Sequence, residues 1–351
     1  MLKKSIILAL FFATHLSAFA KTETITSQER AEYIRSAIVW EPTDIASKDL
    51  LAGPQRHRPF RFLEEITCDY LDGAPKQGNT PKFHCLYNGK DKLKIKYLKS
   101  NGEVYGEIAG SRLMWALGFA TDDDYAVRAT VNHCPKNPWE NSGDRATRLI
   151  EPATVQRKFP GVIMQDQDQS GWGFEELAQV DPSRGGATKE QLDALKLLAA
   201  FIQHRDNGHR NQHLVCAKEG VTYDASGHLI CRKPVLSQHD LGSTFGGSSS
   251  FISLSKVESG PWARTSVWAD SERCIANVGS FIIDGTLHNP QISEQGRRFL
   301  AGLLVQLSDR QIRDLFTAAR VELREPGTPV EQWVNIFKSK VKEVVDARCP
   351  R

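Results

Sequence analysis

Residues 201–216, FIQHRDNGHRNQHLVC, set three histidines, two arginines, an aspartate and two asparagines at the end of an apolar run. Three chemistries fit that composition: a metal-binding histidine cluster, a loop for phosphoryl transfer, or a polar helix end. His209 and His213 stand four apart, with His204 and Asp206 near enough to add ligands for zinc. The glutamate that H-E-x-x-H supplies to a zinc hydrolase is missing, which weakens that reading. His204-Arg205-Asp206 followed by Asn211 reproduces H-R-D-x-x-x-x-N, in which the aspartate orients an acceptor hydroxyl and the asparagine holds a metal. Twenty-nine residues beyond Asn211, Asp240-Leu241-Gly242 stands where a second metal-binding aspartate, of the D-F-G kind, is required.

Phosphoryl transfer from a nucleotide also needs a lysine at the phosphates and a helix carboxylate to steady it. In KLKIKY, period-two alternation puts Leu93, Ile95 and Tyr97 on one face of a strand and Lys94 and Lys96 on the other. Lys96 closes the apolar-x-apolar-Lys pattern, and Glu107 lies one or two turns into the helix that follows. Lys94 and Lys96 could exchange roles.

The elements that must position these groups follow from periodicity and caps. The capping box Thr26…Glu29 opens a helix over 27–38, and the basic, Pro-containing GPQRHRPFRF reads as a linker. EEITCDYL, KFHCLY and KLKIKYL are strands separated by Gly/Pro/Asn turns. GEIAGSRLMWALGF is a helix burying Ile108, Leu113, Trp115, Ala116 and Leu117, with Gly118 as its C-terminal glycine. DYAVRATV is a further strand, HCPKNPWENSGD a loop, and GVIMQDQDQSGWGF a strand running into a linker. Thr188…Gln191 caps the apolar helix that delivers the histidine-rich stretch. Ser308…Gln311 caps another, and Thr328-Pro329 starts a last helix burying Trp333, Val334, Phe337 and Val341. The order implies an α+β chain, with a strand-rich half over 64–168, a helix-rich half over 169–351, and a helix and linker over 21–63.

Residues 1–20 have the basic start, apolar stretch and Ala18-Phe19-Ala20 site of a secretory signal peptide, with cleavage expected after Ala20. The apolar stretch is shorter than the roughly 20 residues a membrane span needs, and no later segment supplies one. Without Lys3 and Lys4 the chain carries a net charge of only +1, which excludes a polybasic nucleic-acid binder. An apolar content of 40% is enough for a substantial core. An exported chain has its cysteines in an oxidising compartment, so the seven present imply disulfides with at least one thiol left over. Cys216 and Cys231 bracket a hairpin, and Cys68 and Cys85 bracket a turn-rich stretch in the same way.

On these motifs the chain resembles the protein kinase-like superfamily, and within it the atypical secretory-pathway kinases of the Golgi casein kinase type. GEIAGSRLMWALGF is similar to their E-I-A-x-x-x-L-x-x-x-L-G-F helix, which implies Glu107 as the ion-pair partner of the strand lysine. GNTPKF is similar to their G-G-T-x-x-K turn, which implies Lys82 as a phosphate contact, and HDLGSTFGG is similar to their metal-aspartate segment. The resemblance spans roughly residues 64–320, though no G-x-G-x-x-G loop is present. It implies a two-lobed kinase-like fold whose site takes ATP with Mg²⁺ or Mn²⁺. Asp206 would be the catalytic base, Lys96, Glu107 and Lys82 would hold the nucleotide, and Asn211 and Asp240 the metal. The acceptor would be a protein or glycan hydroxyl. The alternatives are an exported pseudokinase acting as a binding module and a histidine-rich zinc hydrolase.

Overall fold

The computed structural model describes residues 21–74, 78–250, 253–254, 256–279 and 285–350, so the signal-like segment 1–20 lies outside it. The chain opens with β1 (Lys21–Thr24) and α1 (Ser27–Arg35), whose Thr26 and Glu29 form the expected capping box. Five strands follow around one helix: β2 (Glu64–Tyr70), β3 (Lys82–Tyr87), β4 (Asp91–Tyr97), α2 (Glu103–Ala116), β5 (Asp123–Asn137) and β6 (Ser142–Arg157). They close into a barrel of order β2-β3-β4-β6-β5, and the closing contact is parallel, Glu64–Asp69 against Val127–Asn132.

Alternation explains the barrel interior. Phe83, Cys85, Leu93, Ile95, Tyr125, Val127, Ala153 and Val155 point inward into a single apolar cluster. Their neighbours Lys82, Lys94, Lys96 and Thr154 therefore face out. The segment 133–144, expected as a loop, is instead the tip of a long hairpin: β5 runs through Asn137 and β6 starts at Ser142. Ladder pairing overrides the Pro and Asn content there, because Cys134–Ala146 and Asn137–Ser142 remain in register with bulges between.

β7 (Gly161–Gln165) leaves the barrel and joins a second sheet of order β1-β7-β8-β11, with β8 (Gln212–Ala217) and β11 (Pro234–Gln238) antiparallel. Between β8 and β11 the chain makes the short hairpin β9 (Val221–Tyr223) and β10 (Leu229–Cys231). The rest is mainly helical, with two short ribbons (Ser248–Ser250 with Ser253–Leu254, Trp268–Asp270 with Ile275–Ala276): α3 (Lys189–Phe201), α4 (Ser259–Arg264), α5 (Glu294–Leu304), α6 (Asp309–Ala318), α7 (Val321–Arg324) and α8 (Val330–Asp346). Phe201, Phe245, Trp262, Phe316, Trp333 and Phe337 interlock edge-to-face, tilted or stacked at its centre. Pro329, rather than Thr328, caps α8, and Val341 is only partly buried.

The helix α2 packs on this large core on one side and on the barrel on the other, which leaves nearly every side chain of it buried. Even Arg112 is enclosed, and it donates to the carbonyls of Leu50 and Leu51. The intervening 21–63 segment is thus a strap, fixed further by Tyr125 Oη donating to Pro54 O at 2.6 Å and by Arg56 on Asp123 at 2.7 Å.

Cys68–Cys85 and Cys216–Cys231 pair as the sequence suggests, Cys274–Cys349 forms a third disulfide, and Cys134 is the buried free thiol. The third bond ties the C-terminal tail to the body across 75 residues. Loop-closure entropy at that length contributes roughly 4 kcal/mol. Replacing Cys274 and Cys349 together by alanine should lower the unfolding free energy by about that amount in a urea titration. An unchanged midpoint would mean that the packing of α8 alone holds the tail.

Candidate functional site

The helix α3 ends because Gln203 turns left-handed, at φ 55°, and its side-chain amide donates back to the Ala200 carbonyl at 2.8 Å. The chain then drops His204 into the core, wholly buried, and leaves Asp206 partly exposed. Asn211 Nδ2 donates to Asp206 Oδ1 at 2.7 Å and to the Asp206 carbonyl at 2.7 Å. That orientation directs the amide oxygen of Asn211, the atom a hard cation takes, away from Asp206.

From Asn211 the β8–β11 ladder runs out and returns, closed at its far end by Cys216–Cys231. It brings the backbone N–H groups of His239 and Asp240 onto the Asn211 carbonyl at 3.0 and 3.2 Å. The spacing of 29 residues thus resolves into a hairpin whose two ends touch.

Asp240 meets the barrel at Lys96. The Lys96 ammonium is buried and lies 2.8 Å from Glu103 Oε2, in hydrogen-bond contact with Glu107 Oε1, and 3.3 Å from Asp240 Oδ1. The other Glu107 oxygen accepts the Leu241 N–H at 3.1 Å. This approach depends on two helix glycines. A methyl group on Gly106 would stand 2.4 Å from the Gly242 carbonyl oxygen, and one on Gly110 would stand 2.8 Å from Leu241 Cβ. Side chains there would push the 240–242 segment off α2.

Burial by itself would lower the Lys96 ammonium, but Asp240, Glu107 and Glu103 hold it well above its ordinary value. Burial also opposes ionisation of the carboxylates. Lys96 nevertheless holds Asp240 well below the usual range, and Lys96 with Lys256 holds Glu103 down at about 2. Glu107, the most enclosed, is pushed up by burial and by its acidic neighbours. Asp206 is raised to about 6 by burial and then by Asp240. Burial is the first cause of both raised values, and the neighbouring Asp240 carboxylate adds to each. The oxygens of Glu103, Glu107 and Asp240 lie within 4.8 Å of one another, an all-oxygen donor set of the kind Mg²⁺ and Mn²⁺ accept.

Of the sequence-predicted residues, Lys96, Glu107, Asp240, Asn211 and Asp206 come together. Lys82 stands directly across from Lys96 in the β3–β4 register, with its ammonium 5.9 Å from the Trp139 ring centroid. Burial and the neighbouring Lys96 lower it. Between the two candidate strand lysines, it is Lys96 that meets Glu107. Lys94 faces Lys158 and is depressed to about 8, by burial first and then by Lys158 and Lys96.

Three residues were missed. Glu103 bonds Lys96, Lys256 reaches Glu103 Oε1 at 2.7 Å, and Thr80 donates to Glu103 Oε2 at 2.7 Å. Glu103 carried a signal, since it lies one turn before Glu107 on the same helix face; Lys256 and Thr80 carried none. The zinc set is dispersed. His204 is in the core, His209 contacts Glu175 at 2.7 Å, and His213 stacks on His239.

The raised Asp206 value makes a signed prediction for the metal-free protein. A carboxyl whose folded value exceeds its ordinary 3.8 takes up a proton earlier in the folded state, so its contribution favours folding at low pH and is lost as pH rises through about 6. Relative to Asp206→Asn, the wild type should therefore gain thermal stability as pH falls from about 6.5 to about 4.5 in the presence of a chelator. A pH-independent difference between the two melting curves would contradict the raised value.

No protein-family model matches the chain, and no curated protein matches it. Among solved structures, the chain is similar to the proinflammatory kinase CtkA of Helicobacter pylori. The identity is 11% and the TM-score 0.42, and the match covers 82% of this chain and 95% of that one. That likeness is loose, and the kinase-like reading of this chain rests on the residues and distances of its own site.

Proposed function

We propose that the chain is an exported kinase-like phosphotransferase that uses ATP with Mg²⁺ or Mn²⁺ and delivers the phosphoryl group to a protein or glycan hydroxyl. The observation that carries this reading is the convergence of two separately encoded sets of side chains in one place. One set is Lys96 with Glu107, and the other is Asp206 with Asn211 and Asp240. In this reading the barrel with α2 forms one lobe, the helical body forms the other, and the cleft between them is the nucleotide site. The placement of Lys82 across from Lys96, as the G-G-T-x-x-K resemblance implies, and the pairing of Glu107 with Lys96 support the secretory-pathway type. Three disulfides fit an oxidising compartment.

The division of labour follows from the geometry. Lys96, fixed by Glu107 and Glu103, presents an ammonium that cannot lose its proton at neutral pH, and Lys82 adds a second positive charge across the strand pair. A divalent ion bound through Asp240 and Asn211 would neutralise charge on the transferring group. Asp206, held by the Asn211 amide, accepts the hydrogen of the acceptor hydroxyl. Its value of about 6 keeps it ionised yet basic enough to do so near neutral pH.

Calorimetric titration with ATP, with and without Mg²⁺ or Mn²⁺, is the direct test. Binding should require the metal and should vanish in Asp240→Ala. Asp206→Asn should keep the binding and lower phosphoryl transfer to casein or a glycan acceptor by at least about 100-fold. Absence of ATP binding with either metal would sink the proposal. Binding with no transfer by the wild type would leave a binding module in place of an enzyme.

A further inference from the structure

Beside the carboxylate-rich site, and sharing none of its donor atoms, is a second cluster of different chemistry. Asp122 precedes β5, His213 is the second residue of β8, and His239 follows β11. Their donor atoms lie within 4.8 Å of one another. Asp122 Oδ2 and His239 Nδ1 are 2.7 Å apart, and the His213 and His239 rings lie nearly parallel with centroids 4.2 Å apart.

The cluster is held from outside. The Phe159 N–H donates to Asp122 Oδ1 at 2.8 Å, which leaves Oδ2 for the interior of the group. The Asn211 carbonyl accepts the His239 N–H at 3.0 Å, and Gln156 Nε2 donates to the His239 carbonyl at 3.1 Å. The Phe159 bond to the Asp122 carboxylate is of the kind that orients a metal ligand, and the two His239 bonds fix its backbone. A cation already occupies the focus. The Lys158 ammonium lies 2.8 and 2.9 Å from the two ring nitrogens of His239 and 3.4 Å from Asp122 Oδ2. It is tethered on a side chain about a third exposed, so it can leave.

We propose that Asp122, His213 and His239 form a second divalent-cation site, which an incoming ion occupies by displacing Lys158. Two imidazoles and one carboxylate suit Zn²⁺, Co²⁺ or Ni²⁺ rather than Mg²⁺, and three protein ligands leave a fourth position open. Drawing the donors in to bonds of about 2 Å is the rearrangement that the departure of Lys158 permits. The other histidine-containing cluster, Glu175, Glu176 and His209, is a poorer host. Arg30 binds Glu176 at 2.6 and 2.8 Å, and the Gly173 N–H takes a further bond there at 2.8 Å. The site stands apart from the nucleotide reading, but His239 is the residue before Asp240, so an ion there would also fix the backbone that presents Asp240.

The test is titration of EDTA-stripped protein with Co²⁺, read by its visible ligand-field absorption, and with Zn²⁺ by calorimetry. One site is expected. His213→Ala and His239→Ala should each weaken it by at least about 100-fold, whereas Lys158→Met, which removes the competing ammonium, should tighten it about tenfold. His209→Ala should leave it unchanged. Because Lys158 is partly exposed, its variant decides the matter even if a histidine variant fails to fold. Absence of binding, binding indifferent to His213 and His239, or no tightening in Lys158→Met would each overturn the proposal. Asp122, His213 and His239 would then be a hydrogen-bonded network held by lysine alone.

Discussion

The buried Lys96 ammonium is the constraint on which the rest depends. A charge taken out of water is tolerated only where opposite charges meet it at hydrogen-bond distance. Here three carboxylates do so from two separate parts of the chain: Glu103 and Glu107 from α2, and Asp240 from the end of the β8–β11 hairpin. One ammonium therefore ties the barrel, the helix and the 240–242 segment into a single arrangement. Removing any one partner would leave the others with excess charge in a poorly solvated place, and this makes the cluster a cooperative unit rather than three independent contacts.

Bringing α2 close enough for this took small residues on one face and an anchor on the other. Gly106 and Gly110 let the 240–242 backbone lie directly on the helix, while Arg112 reaches the opposite way to the carbonyls of Leu50 and Leu51. Glycine inside a helix costs about 1 kcal/mol relative to alanine. Two of them in one helix are retained where close backbone approach is what the site requires. The 21–63 strap is thus part of how Glu107 is positioned, because it supplies the surface on which α2 is held from behind.

Much of this was legible in the sequence, and the reason is locality. The H-R-D-x-x-x-x-N spacing, the capping boxes at Thr26, Thr188 and Ser308, the outward Lys94 and Lys96, and both short-range disulfides are set by residues near one another in the chain. What escaped was set by contacts between distant segments. The 133–144 loop became a hairpin tip because ladder register carried through its prolines. The barrel closes through a parallel pairing of β2 with β5 that no local pattern announces. Lys256 comes to Glu103 from more than 150 residues away. His213 carried a signal in the sequence, but with the wrong partners, and only the fold makes Asp122 and His239 its neighbours.

The same geometry explains why two clusters of titratable side chains can stand side by side without merging. The first is all oxygen and is crowded by lysines that balance its carboxylates. The second is mostly imidazole nitrogen, shares no donor with the first, and is reached through a different lysine. They meet only along the backbone, where His239 and Asp240 both donate their N–H groups to the Asn211 carbonyl. An imidazole-rich donor set disfavours Mg²⁺, while the shared peptide segment lets the position of one cluster influence the shape of the other.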